Sequence, residues 1–209
     1  MGESIKRIVG PYQDSYSPNG IIGEKDACGV GFVANVEGIE SNWILKQSLK
    51  GLNCMEHRGG CGGDSDSGDG AGILCSIPWG YLEEKINLKN TQEFNRGLGM
   101  VFMPNKKEKI EICKSICDEE AEKLKVNKTS WRTVPVNNEI LGPLAKANAP
   151  FICQWILYID KKDHKDVERL LFQLRKRIEK KIRETFKNDV GDCEFYFASL
   201  SSQTVVYKG

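Results

Sequence analysis

The strongest constraint on the fold is a glycine-rich stretch in the first half of the chain. Residues 59–72 contain seven glycines and three aspartates in fourteen positions. No helix or strand tolerates that composition, because glycine weakens the interior of either element. Residues 44–55, before it, keep the spacing of an amphipathic helix, and residues 73–77, after it, are apolar like a strand. The sequence therefore predicts a shaped loop that joins a helix to a strand.

Apolar periodicity predicts the other elements of the chain. Residues 29–35 predict a first strand broken by glycines, and the helix of residues 44–55 is expected to be buried, with Ser41 or Asn42 as its cap. Further strands are predicted at 98–103, ended by Pro104, and at 151–159, 194–200 and 204–207, and further helices on the stripes Ile112, Cys113, Ile116, Cys117, Ala121, Leu124 and Val167, Leu170, Leu171, Leu174, Ile178, Ile182, Phe186. This order indicates a layered α+β fold.

The charge balance and the apolar runs exclude two classes of partner. The chain has 30 Lys and Arg against 29 Asp and Glu, a formal charge of +1, so it has no excess of positive charge for a phosphate backbone. Its longest mostly apolar run, residues 151–159, is about half of what a membrane-spanning helix requires. We therefore expect no nucleic-acid partner and no membrane association.

The cysteines and the first residues bear on location. The chain has eight cysteines but no secretory signal, which indicates reduced thiols and a cytoplasmic protein. Residues 1–27 contain turn signals without apolar periodicity, and their acidic side chains argue against an organellar transit peptide. This leader therefore has another purpose.

The glycine-rich loop fails the specific tests for phosphate and for calcium. It has neither the GxxxxGK[ST] pattern nor the GxGxxG spacing of phosphate-binding loops. Asp64, Asp66 and Asp69 resemble a calcium loop, but Gly68 stands where a ligand belongs and Cys75 where a bidentate Glu should be. Both kinds of site are disfavoured.

Sulfur ligands for a metal are also sparse. Cys54, His57 and Cys61 are close in sequence, but the chain contains no CxxC pair. Cys113 and Cys117, four residues apart on an apolar helical stripe, are expected to be small buried side chains. We expect no zinc or iron–sulfur site within this chain.

A nucleophilic cysteine is the third possibility for chemistry. The chain has two histidines, and His164 lies in a charged, solvated segment, so a Cys–His pair would depend on His57. Cleavage after Ala27 would instead give Cys28 a free α-amine, which could accept the proton of its own thiol. A cysteine before a glycine more often packs at the start of a strand, so the residues alone leave both interpretations of Cys28 open.

Several long motifs resemble one family. The motifs are EKDACGVGF at residues 24–32, MEHRGGCG at 55–62, DSGDGAGIL at 66–74 and IPW at 77–79, with further similarity at 130–135, 141–142 and 199–209. They resemble glutamate synthase large subunits in the style of the cyanobacterial, ferredoxin-dependent members. The N-terminal domain of that family is a class II glutamine amidotransferase with an N-terminal nucleophile. Gln203 departs from the Arg found in many members.

The resemblance implies an acyl-transfer reaction at Cys28. It identifies Cys28 as the nucleophile and residues 1–27 as a propeptide whose removal frees the α-amine. Cys28 would attack the side-chain amide of glutamine, release ammonia and form a γ-glutamyl thioester that water hydrolyses.

The resemblance also assigns roles around the glycine-rich loop. Arg58 would lie in the glutamine site, where it either contacts the substrate or braces the loop, bracing being favoured. Gly59, Asp69 and Gly70 would shape the pocket wall, and His57 would be structural.

The fold implied is the four-layer αββα sandwich of N-terminal-nucleophile hydrolases. In the family, the arginine that binds the substrate carboxylate and the Asn-Gly pair of the oxyanion hole lie in motifs that do not occur in this sequence. Residues 28–209 are therefore expected to be the N-terminal part of the domain, within an inactive fragment of a longer enzyme.

The longer enzyme would pass the ammonia to a second site for reductive amination of 2-oxoglutarate to glutamate. The resemblance implies FMN, a [3Fe-4S] cluster, downstream synthase domains of the same polypeptide, and ferredoxin or an NAD(P)H-oxidising subunit as electron donor. None of these cofactor sites is expected within the present chain.

Two other classes of protein remain as alternatives. A different amidohydrolase of the same nucleophile type would keep Cys28 but act on another amide. A non-catalytic interaction module would retain Met1 and would have a Cys28 no more reactive than Cys153.

Overall fold

The computed structural model describes residues 29–55, 70–86, 94–160, 163–187 and 194–208. The helices are α1 (Asn42–Asn53), α2 (Trp79–Lys85), α3 (Lys107–Lys123), α4 (Pro143–Ala147) and α5 (His164–Thr185), with a 3₁₀ turn at Asn138–Ile140. The strands are β1 (Gly72–Ser76), β2 (Phe94–Met103), β3 (Lys128–Thr133), β4 (Phe151–Asp160), β5 (Tyr196–Ser201) and β6 (Thr204–Lys208).

A four-stranded antiparallel sheet forms the centre of the fold. Its strand order is β3-β4-β2-β5, and β2 pairs with β4 from Phe94 opposite Asp160 to Met103 opposite Phe151. Most of β2 and β4 is buried, because both faces of the sheet are covered, and strands buried on both faces have nearly continuous apolar sequences. The strands predicted at 98–103 and 151–159 are confirmed, with β2 beginning four residues earlier than expected, at Phe94.

Helices α3 and α5 cover one face of this sheet. Both predicted helices are confirmed, and Cys113 and Cys117 are fully buried in the core beneath them, as predicted. Ile112 is 42% exposed, so its assignment to the buried stripe is wrong. The buried face of α3 includes Ile110, Cys113 and Cys117, and the 100° rotation per residue turns Ile112 away from it.

A buried glutamate joins the two helices. Glu120 of α3 is 5% exposed and accepts hydrogen bonds from Lys123 Nζ at 2.6 Å and Arg177 Nε of α5 at 2.7 Å. The bond from Lys123, with the smaller effect of Arg177, holds the pKa of Glu120 below its ordinary value against the opposing effect of burial.

The lowered pKa of Glu120 predicts a loss of stability in acid. A carboxylate with a depressed folded-state pKa stabilises the protein above its unfolded pKa, about 4.3 for glutamate, and that stability is lost as the pH falls through the folded value. We expect Glu120→Gln to be less stable than the parent at pH 7, with a smaller difference at pH 3. Urea unfolding at both pH values measures this, with the exposed Glu119→Gln as control. An unchanged difference between Glu120→Gln and the parent at the two pH values would contradict the prediction.

The other face of the four-stranded sheet packs against β1, β6 and α2. Strands β1 and β6 form a two-stranded antiparallel sheet. The buried side chains of this second core come from both sheets, from α2 and, for Ile77, from the link between β1 and α2: Ile77, Leu82, Leu98, Met100, Phe102, Ile156, Tyr158 and Val205. The described residues thus form a helical layer and two stacked sheets, an α+β arrangement with antiparallel sheets.

The first segment of the chain differs from the prediction. Residues 29–35 form no strand, and Val30 and Phe32 are 95% and 94% exposed. A strand needs a neighbour for its backbone hydrogen bonds, and none of the strands in the described residues pairs with this segment. The predicted first strand is therefore wrong for this structure.

Helix α1 confirms its predicted cap but not its predicted burial. The N–H of Ile44 donates to Ser41 Oγ at 3.4 Å. No residue of α1 is buried, and Leu45 and Leu49 are 37% and 47% exposed, because the described residues only partly cover its apolar face. Within the described stretches, no helix combines the length and the apolarity needed to cross a membrane.

Candidate active site

The predicted site residues are Cys28 and four positions in or next to the glycine-rich stretch in sequence. Cys28, Arg58, Gly59 and Asp69 lie outside the described residues, as do the leader of residues 1–27 and His57. Gly70 is described and is exposed in irregular backbone just before β1. The structure therefore describes the residues that flank these positions in sequence, and not the positions themselves.

The residue bonded to Cys28 lies against the residue that leads into the glycine-rich stretch. A Cβ atom built on Gly29 would lie 2.7 Å from Met55 Sδ and 3.3 Å from Met55 Cγ. Glycine allows this approach because it has no side chain. The structure thus brings the residue that follows Cys28 into contact with the first residue of the motif that contains Arg58.

Helix α1 fixes the position of Met55. The N–H of Cys54 donates to the carbonyl of Lys50 at 3.1 Å, and the N–H of Met55 donates to the carbonyl of Leu52 at 3.0 Å. These bonds satisfy carbonyl groups at the end of the helix. Met55 therefore continues directly from a regular helix, which lies against β1.

The far end of the glycine-rich stretch enters the two-stranded sheet. Gly72 pairs with Lys208 of β6, and a Cβ atom at Gly72 would lie 2.9 Å from the carbonyl oxygen of Tyr207. A side chain here would clash with backbone, which cannot move aside as a flexible side chain does. The segment containing Gly70 therefore leads directly into a close approach of β1 to β6.

The described thiols with shifted pKa values are poor nucleophiles. Burial raises the pKa of Cys75 and Cys153, and it raises that of Cys117 well above the ordinary value. The thiolate is the reactive form of cysteine, so these side chains stay protonated and inert near neutral pH.

The second histidine of the chain, His164, is exposed at the start of α5, with Nε2 3.3 Å from Ser202 Oγ.

A cavity of about 440 Å³ lies between α2, the start of β2 and the start of α5. Arg96 lines it, stacked on Trp79 with 4.5 Å between the guanidinium carbon and the ring centroid, and paired with Glu83. No predicted site residue that the structure describes lines this cavity.

The described part of the chain offers no evident metal site. No group of three or more His, Cys, Asp or Glu side chains in it is arranged to bind a metal ion. Cys113 and Cys117, the closest pair in sequence, belong to the apolar core.

Sequence reasoning missed a polar chain between the two sheets. Arg132 Nη1 donates to Gln154 Oε1 at 2.7 Å, and Gln154 Nε2 donates to Tyr207 Oη at 3.3 Å. Gln154 interrupts the otherwise apolar run of residues 151–159, which was the available signal. A buried polar residue in such a run needs partners, but the sequence does not identify them.

Comparison with protein families gives one match over most of the chain. Residues 28–209 match the family described as class-II glutamine amidotransferases. The match begins at Cys28 and includes the whole glycine-rich stretch of residues 59–72.

Curated relatives agree with this family. The chain is 41% identical over 193 residues to ferredoxin-dependent glutamate synthase 1, chloroplastic/mitochondrial, of Arabidopsis thaliana, and 41% identical over 203 residues to the chloroplastic ferredoxin-dependent glutamate synthase of Oryza sativa subsp. japonica. It is 40% identical over 193 residues to ferredoxin-dependent glutamate synthase 2 of Synechocystis sp.. The alignments cover 90%, 95% and 90% of the chain but only 12% of each relative's length.

Proposed function

The chain belongs to the class-II glutamine amidotransferases, and we propose that its Cys28 hydrolyses the side-chain amide of glutamine to supply ammonia. The family match and the curated relatives confirm the family resemblance that the sequence motifs indicated. The observation that carries the choice of Cys28 is that the family match begins at this residue. If cleavage makes Cys28 the first residue of the mature protein, the amidotransferase domain begins at Cys28, and the family match begins at the same residue.

The proposed chemistry uses the thiol and the α-amine of Cys28, with water as the second reactant. The thiolate of Cys28 attacks the amide carbon, the C–N bond breaks, and nitrogen leaves as ammonia with the proton taken from the thiol. The γ-glutamyl thioester that forms is then cleaved by water, which releases glutamate and restores the thiol. The α-amine of a processed Cys28 is the proposed proton carrier, since its ordinary pKa of about 8 suits transfer near neutral pH.

The surrounding residues support a confined site beside Cys28. The contact between Gly29 and Met55 favours a position for Arg58 close to the nucleophile. We propose that Arg58 braces this region and that Gly59, Asp69 and Gly70 form the pocket wall. The raised pKa values of Cys75, Cys117 and Cys153 leave those thiols unsuited to the reaction.

The proposed architecture is the four-layer αββα sandwich. Helices α3 and α5, the four-stranded sheet and the two-stranded sheet supply three successive layers. Helix α1, which lies against β1, is the proposed contribution to the fourth. We also propose residues 1–27 as a removable leader and residues 28–209 as the amidotransferase region.

The proposed wider role is ammonia supply for glutamate synthesis. The relatives are named ferredoxin-dependent glutamate synthases, and we propose that the protein serves reductive amination of 2-oxoglutarate with ferredoxin as electron donor. FMN and a [3Fe-4S] cluster would supply the redox chemistry from other synthase domains. The described residues do not fit the cluster, because Cys113 and Cys117 are packed in the core without a third cysteine ligand.

The proposed location is the cytoplasm. Cys54, Cys75, Cys117 and Cys153 are free thiols in the described part of the chain. Free thiols indicate a reducing compartment.

The test of the proposed function is the N-terminus of the active protein. We expect the intact natural polypeptide, purified in active form, to begin at Cys28, because only a free α-amine there provides the proposed base. Intact mass and N-terminal sequencing measure this, alongside release of glutamate from glutamine. An active form that retains Ala27 would overturn the mechanism.

A further inference from the structure

A chain of polar side chains crosses from one sheet to the other. Arg132 lies directly opposite Gln154 in the pairing of β3 with β4, and their side chains are hydrogen-bonded at 2.7 Å. Gln154 then bonds across the gap between the sheets to Tyr207 of β6 at 3.3 Å. The contact links the edge strand of the larger sheet to the smaller sheet.

Burial of Gln154 requires that its hydrogen bonds to Arg132 and Tyr207 be kept. Gln154 is 1% exposed and lies on the sheet face that carries Ile156 and Tyr158 of the second core. An amide in such surroundings is strongly disfavoured unless both of its ends are hydrogen-bonded. Its oxygen is satisfied by Arg132 and its nitrogen by Tyr207. The three groups therefore hold one another in place.

Tyr207 stands beside the turn that opens β1. It pairs with Ile73, one residue after Gly72. A Cβ atom at Gly72 would lie 2.9 Å from the Tyr207 carbonyl oxygen, so the two backbones are in close contact at this point. A shift of Tyr207 would therefore move Gly72 and, with it, Gly70.

We infer that Arg132, Gln154 and Tyr207 are positioning residues for the glutamine site. They anchor β6 to the larger sheet, and the pairing of β6 with β1 then sets the position of residues 70–72. This inference rests on the proposed function, in which Gly70 forms part of the pocket wall. The three side chains act through residues 70–72 and make no contact with substrate.

The same strands offer a matched control on their other face. Trp131 is adjacent to Arg132 on β3, but its Nε1 donates to Asp118 of α3, at 3.0 Å from Oδ2. Trp131→Phe removes that bond on the helix-covered face and leaves the contact with β6 intact. It perturbs β3 without disturbing the anchor of the two-stranded sheet.

The test compares glutaminase kinetics of variants in the intact natural polypeptide. Gln154→Met has a similar shape but cannot bond to Arg132 or Tyr207, and we expect it to lower kcat by about 10- to 100-fold, since small misplacements of a site are costly to catalysis. KM should change by less than about threefold, because no contact with substrate is lost. Gln154→Glu keeps an acceptor for Arg132 and for the Tyr207 hydroxyl, so we expect it to restore most of kcat.

Two further variants keep the inference falsifiable if Gln154→Met folds poorly. Tyr207→Phe removes only the hydroxyl and should lower kcat in the same direction, and Trp131→Phe should leave kcat unchanged at a comparable loss of thermal stability. Equal losses of kcat in Trp131→Phe and Tyr207→Phe, or wild-type kcat in both Tyr207→Phe and Gln154→Met, would overturn the inference. Absence of Cys28-dependent glutaminase activity in the unmodified protein would instead overturn the proposed function, and this inference with it.

Discussion

Replacement of Cys28 by alanine is expected to abolish the use of glutamine by the intact protein, by about 10⁴-fold or more. The reason is that alanine has no group to form the thioester, and water alone attacks an amide very slowly. Any activity that uses ammonia directly should survive, because free ammonia bypasses the thioester.

The measurement is glutamate release from glutamine beside synthesis with added ammonium, for the parent and the variant. Cys113→Ala is the matched control. It makes the same chemical change at a thiol that is buried on α3, on the helix-covered side of the four-stranded sheet. We expect the control to keep its use of glutamine. Equal loss of both activities in Cys28→Ala would point to a structural role for Cys28.

The second large effect is expected at Asp118, which organises the packing of α3 on the sheet. Its carboxylate accepts hydrogen bonds from Thr129 Oγ1 at 2.7 Å and from the indole nitrogens of Trp131 and Trp155, each at 3.0 Å. The two indole rings are stacked, with centroids 5.3 Å apart, and Trp155 is fully buried. One carboxylate therefore satisfies three donors from two strands.

Asp118→Ala should lower the free energy of unfolding by about 2–4 kcal/mol, because the buried Trp155 donor left without an acceptor costs about 1–3 kcal/mol and the half-buried Thr129 and Trp131 each lose a hydrogen bond worth less. Asp118→Asn keeps one acceptor oxygen and should lose less. Urea denaturation of the chain measures both variants. Glu119→Ala, at the exposed neighbouring position of α3, is the control and should change stability by less than about 0.5 kcal/mol. A loss for Asp118→Ala no larger than that of the control would contradict this account.

The elements that could be predicted are those whose sequence pattern is complete within one segment. The helix on Val167, Leu171 and Leu174 and the buried strand at residues 151–159 each carry their own period, and both are confirmed. Strand β3 (Lys128–Thr133) was not predicted, because its sequence KTSWRT contains one large apolar residue, Trp131. Its pairing with β4 holds it in the sheet.

The wrong predictions for α1 and for residues 29–35 concern which surfaces pack against other parts of the protein. The α1 segment has a correct helical period and a correct cap, yet Leu45 and Leu49 remain partly exposed. The glycine-broken run at residues 29–35 has strand-like composition but no strand partner in the described structure. Periodicity reports which residues share a face of an element, and it does not report what lies against that face.

For the candidate site too, the sequence provided some of the information and the folded structure provided the rest. The motifs around Cys28, Arg58 and Asp69 were sufficient to identify the family, because a long match of residue types in order depends on sequence alone. The roles of those residues rest on the resemblance, since their positions lie outside the described residues. The contact of Gly29 with Met55 required the folded chain.

The sequence by itself thus determined the family, the loop imposed by seven glycines, and the main helices and strands, because each of these depends on residues that are near one another in the chain. Only the tertiary structure decided how the sheets stack and which polar groups meet between them. Gln154 and Tyr207 are 53 residues apart in sequence, and no local pattern encodes their hydrogen bond. Such a contact forms because stacking two sheets brings distant backbone segments together and places a polar partner, the Tyr207 hydroxyl, within hydrogen-bonding distance of the buried Gln154 amide.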